Sequence, residues 1–165
     1  MNRFPTLWLP ALLLFLMVSC NSVDCPMNNT VYTVYNLLRA NGERDTLKDT
    51  LSIVTKRIVP NEDPVAVNRA VGLSSFTVPI SYSGDEDVFF FLFKDTVDYY
   101  AIDTVSVRKT NRPHLESVDC NPSYFHTITE VNHTHNMIDS IVINNPEVNY
   151  DSSKEHFHIY LHSRP

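Results

Sequence analysis

The chain has 165 residues, with 13 Lys and Arg against 19 Asp and Glu, a formal charge of −6 with His neutral, three cysteines and three glycines. A surface of that sign repels phosphate backbones, so no nucleic acid partner is expected. Three glycines are too few for phosphate loops or a flexible linker.

The amino-terminal MNRFPT carries one positive charge, Arg3, ahead of an apolar run from Leu7 to Val18 that contains Pro10. That is the layout of a secretory signal. The run is about 12 residues, whereas a spanning helix needs roughly 20, so no permanent transmembrane segment is expected. It ends in Met17-Val18-Ser19-Cys20, which resembles the lipobox of bacterial lipoproteins, with Met17 where Leu is commonest. The resemblance implies a diacylglyceryl group on the Cys20 thiol, cleavage between Ser19 and Cys20, and acylation of the new amine; no other cofactor is expected. Several acyl chains, at about 0.8 kcal/mol per buried methylene, give lasting membrane attachment. The alternative is an ordinary secreted protein with a cysteine beside its cleavage site by chance.

On this reading residues 1–19 are a lipoprotein signal peptide, 20–24 a lipidated tether, and 25–165 a single β domain. Cleavage leaves 146 residues, enough for one core, with a formal charge of −7 once Arg3 is gone. No polybasic segment stands beside the anchor to grip anionic lipid.

With Cys20 consumed as a thioether, Cys25 and Cys120 are an even pair in a chain sent to an oxidising compartment, and a disulfide between them is expected. It would close a loop of about 95 residues, worth between about 4 and 5 kcal/mol on the loop-entropy model. Two free buried thiols are the alternative. With the bridge in place, only Asn21, Ser22, Val23 and Asp24 separate lipid from fold, a reach under about 20 Å. The domain would then sit against the outer membrane. The lack of an acidic run after Cys20 favours its periplasmic face over the cell surface.

Strands are predicted near 30–38, 46–56, 75–82, 87–94, 99–109, 124–132, 138–144 and 156–162. In TLKDTLSIVTK (46–56), Leu47, Leu51 and Ile53 share the apolar parity; in SFTVPISY (75–82), Phe76, Val78, Ile80 and Tyr82 do. Pro79 falls on the outward parity and cannot donate to a ladder, which places that strand at a sheet edge. HFHIYLH (156–162) sets Phe157, Ile159 and Leu161 against His156, His158, Tyr160 and His162. Turn signals stand at Asn41-Gly42, from Pro60 to Pro64, at Ser83-Gly84-Asp85 and at Asn144-Asn145-Pro146. No helical stripe follows residue 20. An antiparallel β-sandwich of seven to nine strands is expected, with an eight-stranded barrel as the alternative.

CNSVDCPMNNTVYTVYNLL, DTVSV, HLESVDCNPSYFHTIT, SIVINNPEVNYDSSKEHFHIYL and the final Arg164-Pro165 resemble a family of small Bacteroidota lipoproteins of unknown function. The resemblance implies an envelope β domain without an assigned activity.

Four groups of residues bear on chemistry. His156 and His158, two apart on a strand, point the same way and would share a metal ion if His162, or His133 and His135, supplied further ligands; the alternative is the polar face of that strand. Asp85, Glu86 and Asp87 lack the spacing of a calcium loop and read as a solvated hairpin tip. Val88-Phe89-Phe90-Phe91-Leu92-Phe93 is apolar on both parities, so Phe89, Phe91 and Phe93 are either core or a stripe that docks another envelope protein or a second copy of the chain. Tyr32, Tyr35, Tyr99 and Tyr100 are candidates for a sugar-stacking platform. No catalytic motif is present, and no enzyme activity is expected. The expected role is a lipid-anchored, non-catalytic interaction or structural module, with a metal-binding protein or a glycan-binding accessory as alternatives.

Overall fold

The computed structural model describes residues 25–26, 29–56, 65–97 and 100–162. The signal peptide, Cys20 and its tether, the Pro60–Pro64 turn, Tyr99 and the final Arg164-Pro165 lie outside these residues. The described chain is all β. Its strands are β1 (Tyr32–Leu38), β2 (Thr50–Thr55), β3 (Val65–Ala70), β4 (Ser75–Pro79), β5 (Glu86–Lys94), β6 (Tyr100–His114), β7 (Ser123–His133), β8 (Ile138–Ile143), β9 (Glu147–Val148) and β10 (Phe157–Leu161). They form a four-stranded sheet in the order β4-β1-β10-β8 and a six-stranded sheet in the order β3-β2-β5-β6-β7-β9. This is the expected sandwich architecture, with one departure: β1 and β10 pair in parallel, Tyr35 opposite Phe157 and Leu37 opposite Ile159.

Alternation sets the faces. Leu51 and Ile53 of β2, Phe89, Phe91 and Phe93 of β5, and Ala101, Val105 and Val107 of β6 are buried on one side of the larger sheet. Tyr35, Leu37, Phe76, Val78, Phe157 and Ile159 face them from the smaller one. At the centre the Tyr35 ring is stacked between Phe157, at 4.6 Å, and Phe76, at 5.2 Å, and meets the edge of Phe91 from the opposite sheet at 5.9 Å. Each buried aromatic contributes about 1.5–3 kcal/mol through area alone, and offset and edge-to-face rings add to that.

Several expectations are corrected by the fold. Phe89, Phe91 and Phe93 belong to the core, so they are not a docking stripe; the half-buried outer parity of β5 is Val88, Phe90 and Leu92. Tyr82 is 69 % exposed: the alternation runs on to buried Ile80, one residue past the end of β4 at Pro79, and stops there. Pro79 does lie on an edge strand, since β4 pairs only with β1. Leu47 is buried without being in a strand, its N–H donated to the carbonyl of Leu73 at 2.8 Å. Two strands are absent from the sequence expectation. β3 shows no alternation because its pairing with β2 is broken by bulges, with Arg69 at φ 49°, and β9 is only two residues long.

The larger sheet turns back to the smaller one through a buried carboxylate. Asp103 of β6 accepts hydrogen bonds from Thr134 Oγ1 (2.8 Å) and the N–H of Asn136 (2.7 Å), Met137 (2.7 Å) and Ile138 (2.9 Å). Burial by itself raises its pKa, but these four donors outweigh burial and hold the carboxyl below the usual carboxylate range. Asp103→Asn would set an amide N–H against backbone N–H groups, and it is expected to cost about 2–4 kcal/mol in urea unfolding. An unchanged midpoint would show that the β7–β8 turn does not depend on this carboxylate.

Candidate functional site

Beyond Val107 the buried parity of β6 becomes polar, at Lys109 and then Asn111. Across the ladder Asn111 lies opposite His126 of β7. The loop that joins these strands contains Cys120, and Cys25 is joined to it by a disulfide, with the two Cα atoms 5.4 Å apart. The incoming chain is held to the same loop again where Asn29 Nδ2 donates to the carbonyls of Asn121 (3.3 Å) and Pro122 (3.4 Å).

Between this loop and the start of β1 lies a cavity of about 360 Å³, with Val31, Ile80, Tyr82, Asn121, Tyr124 and His126 among its walls. At its rim the rings of Tyr82 and Tyr124 stack at 5.4 Å and 23°. His126 and Val31, each 2 % exposed, are its most buried lining residues. A larger, open groove of about 780 Å³ runs past the other end of β1, between Leu38–Ala40 and β10.

A polar chain fixes the state of His126. Asn111 Nδ2 donates to the carbonyls of Gly84 (2.6 Å) and Tyr82 (3.3 Å), so its Oδ1 is the atom that faces His126 Nδ1, at 2.7 Å. An amide oxygen only accepts, so Nδ1 carries the proton and Nε2 keeps a bare lone pair. The buried side-chain polar atoms without a partner among the described residues are Tyr35 Oη and Asn36 Nδ2, and Nε2 is not one of them. Burial, with the Lys109 ammonium nearby, pulls the imidazole down to about 4, so it is neutral at pH 7. Lys109 is itself fully buried and paired with Asp87 at 3.1 Å; it also donates to the Gly84 carbonyl at 3.3 Å. Asp87 is therefore not part of a solvated hairpin tip. It is half-buried, and its carboxylate accepts from the N–H of Ser81 at 3.0 Å as well. Gly84, at φ 77°, makes the turn that presents its carbonyl to both Lys109 and Asn111.

The histidines expected as metal ligands have other partners. His156 precedes β10, lies outside its alternation and is buried, whereas His158 is half-buried against Glu155 at 2.9 Å. His156 Nδ1 accepts from the N–H of Val34 at 2.9 Å, which leaves the proton on Nε2, 3.2 Å from the Glu147 carbonyl. Both nitrogens thus join β1 to β9. His133 and His135 have their rings 4.3 Å apart, but their Nδ1 atoms point to the carbonyls of Thr134 and Asp139. Among the described residues no three His, Cys, Asp or Glu side chains gather to hold a metal ion. Of the tyrosines expected to stack on a sugar, Tyr35 is core while Tyr32 and Tyr100 are exposed at separate places on the sheets. The pair that does come together, Tyr82 with Tyr124, carries no signal in the sequence.

Fold and site together define a two-sheet β domain, stapled at one end, with an uncharged recess beside the staple. Residues 50–161, about two thirds of the chain, match a family of unknown function, DUF6452, and the protein belongs to that family. The match runs from β2 to β10 and includes Tyr82, Cys120, Tyr124 and His126. Among curated proteins and among solved structures, nothing matches the chain.

The two buried imidazoles make stability depend on pH. The folded pKa of His126 is depressed, and that of His156 lies below the usual value, again through burial. Between about 6.5 and 4 the unfolded chain therefore binds protons that the folded chain refuses, and stability falls as pH falls. At pH 5 the loss from His126 alone is on the order of 2 kcal/mol relative to pH 7. Thermal unfolding followed from pH 7 to pH 5 should show the decline, and His126→Asn should flatten it. A flat profile for the unaltered protein would rule out neutral, buried imidazoles.

Proposed function

We propose that this protein is a lipid-anchored module of the bacterial cell envelope, held at the periplasmic face of the outer membrane, and that it acts by binding rather than by catalysis. The observation that carries this reading is the Cys25–Cys120 disulfide. It takes two of the three thiols and leaves Cys20, at the end of the lipobox-like Met17-Val18-Ser19-Cys20, as the one available for a thioether. A structural disulfide also suits an oxidising compartment outside the cytoplasm. The four residues between Cys20 and Cys25 limit the domain to roughly 18 Å from its lipid.

The acyl chains then provide attachment, and the staple transmits it directly to the fold. A partner in this reading is another envelope component within that short reach; the acidic surface argues against nucleic acid.

Replacement of Cys20 by Ala tests the anchor. In cell fractionation the unaltered protein should sediment with membranes and the variant should appear in the soluble fraction. Intact mass of the purified protein should show loss of residues 1–19 and added diacylglyceryl and acyl groups. A variant that sediments unchanged, or a mature protein without acyl mass, would overturn the reading.

A further inference from the structure

The recess beside the staple has three properties that together select a ligand. Among the described residues no charged side chain lines it, and His126 is neutral there, so a charged ligand would be desolvated without a counterion. One of its lining residues carries a hydrogen-bond acceptor: the Nε2 lone pair of His126, only 2 % exposed, whose other nitrogen is tied to Asn111 at 2.7 Å. An acceptor kept in that state suits a ligand O–H or N–H. At the rim Tyr82 is 69 % exposed and its ring is backed by Tyr124 at 5.4 Å, so a flat aromatic face is offered at little further cost in side-chain ordering.

Hydroxyl donors and an apolar C–H face on one small neutral molecule describe a sugar ring. The electron-rich face of a tyrosine attracts the positively polarised C–H bonds of a pyranose, and the polar residues Asn29, whose Nδ2 is held by the loop carbonyls, and Asn121 also line the recess. A volume of about 360 Å³ lies at the small end of the range for ligand sites. We infer that the recess binds a neutral saccharide, one pyranose lying on Tyr82 with a hydroxyl donated to Nε2 of His126. The inference deepens the reading of the domain as a non-catalytic binding module and rests on it.

The test is saturation-transfer NMR and calorimetry with the full, lipidated protein in a detergent lacking a sugar headgroup. The probes are maltotriose, cellotriose, chitotriose and mannotriose, with polygalacturonate as an acidic control and a Phe-containing tripeptide as an aromatic one. At least one neutral trisaccharide should bind. Its affinity should fall about tenfold or more in Tyr82→Ala and in His126→Phe, and persist in Tyr82→Phe. Tyr82 is 69 % exposed and outside the core cluster, so the Ala and Phe pair decides the matter even if His126→Phe disturbs the fold. The inference is overturned if none of the four neutral sugars binds, if Tyr82→Ala binds as well as the unaltered protein, or if polygalacturonate or the tripeptide binds in preference. Membrane fractionation of Cys20→Ala is independent of all these outcomes, so failure here and failure of the anchor are told apart.

Discussion

The disulfide between Cys25 and Cys120 is the constraint on which the stapled end of the molecule depends. The loop from Leu115 to Pro122 is rich in exposed side chains and has few backbone hydrogen bonds of its own, Cys120 to the Ser117 carbonyl being one. Left to itself such a loop would not define the wall of a cavity. A covalent link to residue 25 and the Asn29 amide bonds hold it against the start of β1, and the recess exists because those two segments are kept apart and in register. Cross-links that span so long a stretch of chain act chiefly by removing freedom from the unfolded state, so the same bond also favours the fold as a whole.

Behind the loop, the chemistry of the recess follows from a change in side-chain type along a single strand. β6 is fifteen residues long and β7 eleven, and both continue beyond the apolar rows of the sandwich. Where the inward parity passes from Val107 to Lys109 and on to half-buried Asn111, hydrocarbon gives way to polar groups, and each enclosed one needs a partner. Lys109 finds Asp87 and Gly84, and Asn111 finds Gly84, Tyr82 and His126. The chain of bonds ends at His126, which lines the recess.

Much of the architecture was legible in the sequence because burial on one face of a strand imposes a period of two. Val78, Ile53 and Ile159 reported their faces correctly, as did Pro79 its edge position. The rule failed where strands end or bulge: Tyr82 and His156 each lie outside the strand to which alternation assigned them, and β3 is bulged. For Phe89, Phe91 and Phe93 the sequence left core and docking stripe open, since both parities of β5 are apolar; packing against Tyr35 decides for the core. The recess was not legible at all. It depends on Asn111 standing opposite His126 and on Tyr82 reaching Tyr124, and those are matters of register and of loop path, which a single chain does not disclose.

The parallel ladder of β1 with β10 has a bearing on how the molecule is made. The first strand of the smaller sheet is hydrogen-bonded on one side to β4 and on the other to a strand more than a hundred residues later. Half of the bonds that define β1 have no partner until Phe157 and its successors have been synthesised, so in a nascent chain Tyr35 can meet Phe76 and Phe91 but lacks the ring that stacks on its other side. Topologies of this kind assemble late and slowly, after nearly the whole polypeptide is present. A growing chain would thus remain open, and threadable, until its final strand arrives.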